Sequence, residues 1–336
     1  MADSEPAAAS GYDVVGDIHG CAEQLVRLLE QLGYSKRDGV WQHPTRKMLF
    51  LGDFVDRGPG QLKAVRIPMN MVRAGSALAV AGNHEFNAIA YATTRPDGGF
   101  CRPHTDKNVH QHRAFIDAVG FGSDLHREII DWFRTLPVAL GLDGLRAVHA
   151  CWHDTHIRTL EAALGGERMT DDFIVEATTN GTALHEAAEV VLKGPEADLN
   201  GYWYRDKDGH RRDAGRVEWW RPDATTLRDA IRLSPEWTVY GPDGNEVDQL
   251  PDDPLPEGTM PPASTTGTVT FFGHYWFDAA AESGPSILET SATCLDWSAV
   301  KGGPLVAYRW SGKSALTAEH LTWVEHTEGE ASRPPT

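Results

Sequence analysis

GYDVVGDIHG, residues 11–20, is the stretch on which the fold turns. Tyr12, Val14 and Val15 make a short apolar run that stops at Gly16, the signature of a buried strand ending sharply. Asp17 and His19 then stand at the strand's carboxyl end, where open α/β sheets bind ligands. Taken alone, an Asp and a His beside a turn more often belong to a solvated loop. The rest of the chain decides.

The pattern repeats. Between Cys21 and Leu32, Leu25, Leu28, Leu29 and Leu32 share one helical face, and Gly33 follows where a left-handed cap belongs. Met48 to Leu51 is a second apolar run, closed by Gly52, and a helix comes next over about 61–74 with Pro68 in its middle. Ala77 to Val80 is a third run, closed by Gly82. Ser123 is placed to cap a helix over 125–136 that Pro137 ends. Val138 to Leu142 and Leu145 to Val148 flank Asp143-Gly144, a pair suited to a two-residue hairpin, and the second arm ends at His149. Helices are expected over 156–193. Strand runs resume at Val269 to Phe272, Ala292 to Leu295 and Leu305 to Trp310. Strands alternating with helices imply an α/β fold in which helices pack on a sheet. Residues 194–267, rich in Gly, Pro, Trp and charge, are expected to be an insertion into a single domain over 11–320, with tails at 1–10 and 321–336.

Composition narrows the function. With 336 residues, 41% of them hydrophobic, the chain can bury a sizeable core. A net charge of -17 opposes a nucleic-acid backbone or an anionic membrane as the main partner, while leaving room for a local basic pocket. No run reaches the ~18 apolar residues of a membrane span. The acidic start, MADSEPAAASG, lacks the positive charge of a secretory signal, so the expected location is cytoplasmic. Cys21, Cys101, Cys151 and Cys294 are scattered without CxxC pairs and are expected to be reduced, structural thiols.

The apolar runs lead into GDIHG at 16, GDFVDRG at 52, GNHE at 82, VHA at 148 and GH at 273. Each of these runs therefore ends in a residue able to bind metal or move a proton. Carboxylate, imidazole and amide donors without thiolate suit Mn, Fe, Zn or Mg. In this order, GDIHG, GDFVDRG and GNHE resemble the signature blocks of the calcineurin-like metallophosphoesterases. The resemblance is narrower to the branch that holds the phosphoprotein phosphatases, the bacteriophage lambda phosphatase and the diadenosine tetraphosphate hydrolases. It spans about 12–310 and is strong in the first 140 residues and the last 40 of that region. It implies a β-sandwich of mixed sheets flanked by helices.

The resemblance further implies two divalent metal ions, with Mn²⁺ the first choice in vitro and Fe, Zn or Mg as alternatives. Asp17 and His19 would hold the first, Asp53 would bridge both, and Asn83, His149 and His274 would hold the second. His84 would be the general acid for the leaving oxygen, Asp56 would orient it, and Arg57 would clamp the phosphate. His153 and His156 compete with His149 in HACWHDTH; His149 is preferred because it ends a strand, and the other two are assigned to an exposed helix. His104, His110 and His112 are assigned to a solvated loop.

The family usually brings a second arginine to the phosphate. GYWYRDKDGHRRDAGRVEWW, residues 201–220, offers Arg205, Arg211, Arg212 and Arg216, either on a substrate wall or on a surface hairpin turning at Asp208-Gly209. Trp219-Trp220 is assigned to core packing rather than a nucleobase platform. The expected function is metal-dependent hydrolysis of phosphate monoesters on a protein or a small molecule. Hydrolysis of dinucleoside polyphosphates is the alternative, and a non-catalytic module retaining the fold is a third reading that the full set of ligands disfavours. The sequence leaves the oligomeric state open.

Overall fold

The computed structural model describes residues 11–206, 209–234, 237–261 and 267–327. The expected tail at 1–10, Asp208 of the expected hairpin turn and the end of the chain from 328 lie outside the described residues.

Nine strands build two main sheets: β1 (Tyr12–Val15), β2 (Lys47–Phe50), β3 (Ala77–Ala79), β4 (Ala139–Leu142), β5 (Leu145–Val148), β6 (Val269–Phe272), β7 (Ala292–Cys294), β8 (Leu305–Trp310) and β9 (Leu321–Val324). The first sheet has the order β9-β8-β1-β2-β3, and the second the order β7-β6-β5-β4. β1, β2 and β3 are mutually parallel, whereas β8 runs antiparallel to β1. Parallel neighbours need a crossover, which the helices α1 (Ala22–Gln31) and α2 (Gln61–Arg73) supply. α2 runs on through the buried Pro68. β5, β6 and β7 are likewise parallel, and β4 closes the second sheet as the hairpin partner of β5.

The two sheets share one core. Val14, Leu49, Phe50, Phe271, Phe272 and Val306 have no exposed surface, and the rings of Phe271 and Tyr308 meet across the layers with centroids 5.0 Å apart. Burial on both faces is why these strands read as continuous apolar runs. Parallel strands in register end on one edge. Asp17, Asp53 and Asn83 from the first sheet and His149 and His274 from the second therefore arrive at the same rim.

Helices α3 (Asn83–Ala92), α4 (Asp106–Val119), α5 (Asp124–Phe133), α6 (Asp154–Leu164), α7 (Asp171–Ala177) and α8 (Ala183–Lys193) complete the frame. Ser123 caps α5 as expected, accepting the His126 N–H. The insertion packs around a small core of its own, with Leu199, Tyr204, Val217, Leu227, Ile231 and Leu250 buried together. Trp219 and Trp220 instead join the main core, and Trp219 Nε1 donates to the Ala150 carbonyl at 2.8 Å.

One boundary needs correction. Residues 321–324, assigned above to a C-terminal tail, are β9, paired to β8 from Leu305 through Tyr308. LTWV is too short to announce itself in sequence, and the exposed edge of β8 decides its conformation.

Candidate active site

The loop after β2 sets the geometry. Asp53 has φ +50°, Asp56 +69° and Arg57 +70°, and His19 (+44°) and His274 (+73°) share this left-handed backbone. Side chains avoid it at a cost of ~1–3 kcal/mol each, so the surrounding contacts must hold them there. Glu85 does much of this. Its buried carboxylate accepts the N–H groups of Asp53 at 2.7 Å, Phe54 at 2.8 Å and Gly82 at 2.9 Å, tying the loop to the start of α3. Gly82 is obligatory there, because a Cβ would stand 2.2 Å from Asp53 Oδ1.

Two clusters of donors share Asp53. His19, Asp53 and His84 present ligand atoms within 4.8 Å of one another, as do Asp53, His149 and His274. His19 Nε2 lies 3.3 Å from Asp53 Oδ2, and His149 Nε2 lies 3.4 Å from Asp53 Oδ1. Asn83 Oδ1 is 2.9 Å from both His149 Nε2 and His274 Nδ1. Asp17 stands at the margin, 4.0 Å from His19 Nε2, and accepts the His274 N–H. All six residues expected to bind metal are thus brought to one buried rim, although the first cluster groups His84, rather than Asp17, with His19 and Asp53.

The chemistry of this set fits divalent cations. His19 Nδ1 donates to the Val55 carbonyl and His149 Nδ1 to the Leu51 carbonyl, which in a neutral ring leaves each Nε2 lone pair facing inward. Nε2 of His19 and Nε2 of His274 are buried without a hydrogen-bond partner. Burial, reinforced by His84, lowers His19 to about 3, so its ring is neutral and free to ligate. Burial also raises Asp17 well above the usual carboxylate range, with Asp296 and Asp53 adding repulsion. Asp53 responds oppositely: burial works against its charge, but His149, His84 and His19 hold it well below that range. His149 is lifted to about 10 because Asp53 and Asp17 outweigh its own burial. The field that draws a proton to His149 is the field that draws a metal ion.

His84 faces away from this centre on its other nitrogen. Its Nδ1 is 2.5 Å from Asp56 Oδ2, and its Nε2 is 3.5 Å from the Arg57 guanidinium. His112 occupies the second oxygen of Asp56, with Nδ1 2.7 Å from Oδ1. This corrects the loop assignment for that histidine: His112 is fully buried in α4, against Tyr91 and Phe115. Its signal was present in sequence, since it falls on the apolar stripe of Val109, Phe115 and Val119. His104 is stacked between Tyr91 and Phe100. His153 is also corrected; it is buried and caps α6 rather than lying in an exposed helix. Replacing His112 with Leu should lower stability by about 1–3 kcal/mol in urea unfolding, because one oxygen of a buried carboxylate loses its only side-chain donor. Asn, which retains a donor, should cost less.

The four arginines of the insertion separate clearly. Arg205 donates to the Gly209 carbonyl, Arg211 pairs with Asp213, and Arg212 pairs with Asp206. Arg216 also reaches an acid, with Nη2 3.7 Å from Glu196, but it packs 5.8 Å from the Tyr275 ring centroid with its Nε buried and unpartnered, and after burial itself its charge helps push His274 well below the usual imidazole range.

Oxygen and imidazole donors that share a carboxylate, beside an arginine open to solvent, meet the needs of a metal-assisted phosphoryl hydrolase. The chain belongs to the calcineurin-like phosphoesterases, whose family model matches residues 12–230. It is therefore a hydrolase acting on phosphoesters, in a family that uses divalent metals. The asymmetrical bis(5'-nucleosyl)-tetraphosphatase PrpE of Halalkalibacterium halodurans is 42% identical over 74 residues, 22% of this chain and 30% of that protein. Its counterpart from Geobacillus is 45% identical over 73 residues, 21% and 30% of the two chains. The chain thus spans 30% of the length of these two curated relatives. A serine/threonine phosphatase of Saccharomyces cerevisiae with similarity to human PP5 aligns over 97% of this chain and 83% of its own, at 14% identity and a TM-score of 0.45. Among the described residues, no helix is long and apolar enough to cross a membrane.

Proposed function

We propose that the chain hydrolyses phosphate esters or anhydrides at a dinuclear centre, with Asp17, His19 and Asp53 on one cation and Asp53, Asn83, His149 and His274 on the other. The observation that carries this reading is the sharing of Asp53 by two buried donor clusters. Two divalent cations there would supply Lewis acidity to the phosphoryl group and activate water as the nucleophile. Arg57, exposed beside His84, binds the phosphate oxygens in a bidentate manner, and Arg216 approaches from the side of His274. His84 delivers a proton from Nε2 to the departing oxygen. Asp56 fixes the ring through Nδ1, and His112 fixes Asp56.

Phosphate monoesters, on a protein or a small molecule, are the general substrate class. Dinucleoside polyphosphates are the second reading, favoured by the names of the relatives that share the 73- and 74-residue stretches. The test is hydrolysis of p-nitrophenyl phosphate by purified protein before and after exhaustive chelation, with Mn²⁺ added back. Activity should vanish with chelation and return with the metal. Full activity in the chelated protein would exclude the proposed centre.

A further inference from the structure

We infer that Trp276 is a positioning residue for Arg57: its indole holds the guanidinium so that the phosphate clamp is in place before the substrate arrives. The inference rests on the phosphoesterase reading above and adds to it a residue that acts through Arg57.

The Arg57 side chain is exposed, and an arginine in water has many rotamers to lose when it binds an anion. Among the described residues its guanidinium has two partners at contact distance. One is His84 Nε2, 3.5 Å from Nη2, at the outer limit of a hydrogen bond. The other is the Trp276 ring, whose centroid lies 4.3 Å from the guanidinium carbon.

These partners are not equivalent during turnover. With its Nδ1–H directed at Asp56, His84 accepts from Arg57 only while Nε2 carries no proton. To act as the acid, His84 must carry one there. That proton removes the lone pair and sets a second cation beside the guanidinium. The indole face is untouched by this step and attracts the guanidinium throughout. In the form poised to react, Arg57 therefore depends on Trp276.

The indole is itself fixed. Trp276 follows His274 in the loop after β6, and its ring stacks on His19 with centroids 5.3 Å apart and planes 26° apart. Lys301 Nζ packs 4.1 Å from the same centroid. The buried Asp296 carboxylate accepts the Trp276 N–H at 2.8 Å and the Ser298 N–H at 3.1 Å, and the Asp296 carbonyl accepts the Phe277 N–H at 3.0 Å. Two successive backbone amides of the Trp276 loop are thus tied to one residue. Trp276 itself has φ +52°, a conformation that a residue with a side chain adopts at a cost and that the surrounding contacts must hold. One ring, set by the backbone, touches both His19 of the donor cluster and the arginine of the clamp, and so places each relative to the other.

The experiment is a double-mutant cycle on the Mn²⁺-loaded protein: wild type, Trp276→Leu, Arg57→Ala and the double variant, with Trp276→Phe beside them. Three quantities are measured: metal content per chain, orthophosphate affinity by calorimetry, and kcat and KM for p-nitrophenyl phosphate. Trp276→Leu should keep its metal, bind orthophosphate about tenfold more weakly and lose about as much in kcat/KM, the scale of a guanidinium–indole contact. Trp276→Phe, which keeps an aromatic face and disturbs the fold least, should recover part of both losses. In the Arg57→Ala background, Trp276→Leu should change kcat/KM by less than about twofold, because its effect passes through Arg57. Unchanged orthophosphate affinity in Trp276→Leu, an equal loss in the Arg57→Ala background, or release of metal would overturn the inference while leaving the phosphoesterase reading intact. A wild type that hydrolysed no phosphate ester with metal present would overturn both.

Discussion

Asp53→Asn should release both metal ions and abolish turnover together. Outer-shell partners of a metal cost roughly 10- to 100-fold in affinity or activity when lost, and a residue common to two coordination shells should exceed that range in each. The geometry explains why an isostere would not serve. Asp53 Oδ1 accepts the His84 N–H at 2.9 Å, so the amide of Asn keeps its oxygen there and turns its NH₂ toward His19 Nε2, now 3.3 Å from Oδ2. That NH₂ donates to the lone pair the metal requires. Metal content per chain and turnover of p-nitrophenyl phosphate are the two measurements. A variant that held two ions per chain and turned over normally would show that the bridge lies elsewhere.

Legibility in the sequence had a physical boundary. Residues at the ends of buried parallel strands were legible, because an apolar run that stops sharply announces both the strand and its carboxyl edge; a glycine closes the run before Asp17, Asp53, Asn83 and His274, and His149 follows its run directly. Residues that act through tertiary pairing were not. Glu85 sits inside GNHE, yet only the fold shows its carboxylate holding three backbone N–H groups of two loops. Asp296 has the same character, since its partners belong to another loop and to the next turn. Arg216 could not be told from Arg205, Arg211 and Arg212, for all four have acceptors within the insertion and only the fold lays Arg216 against Tyr275. His112 lay between these cases: its place on a helical stripe predicts burial, but not that Asp56 is its partner.

His84→Asn separates proton transfer from metal binding. His84 belongs geometrically to both, since Nδ1 is 2.5 Å from Asp56 while Nε2 is 3.9 Å from Asp53 and within the first donor cluster. If it serves as the acid, the variant should keep its full metal content and lose about 10²- to 10⁴-fold in kcat, the range of a positioned general acid. The loss should also depend on the leaving group. An alkyl phosphate expels a strongly basic alkoxide that needs the proton, whereas p-nitrophenolate departs without it, so the defect should be much the larger on the alkyl ester. Arg57, whose guanidinium is 3.5 Å from His84 Nε2, would still bind the phosphate, leaving KM little changed. Equal defects on the two esters, or the loss of one ion per chain, would instead place His84 in the coordination shell. Asp56 and His112 would then serve to aim a metal ligand, in the manner of the carbonyls that aim His19 and His149.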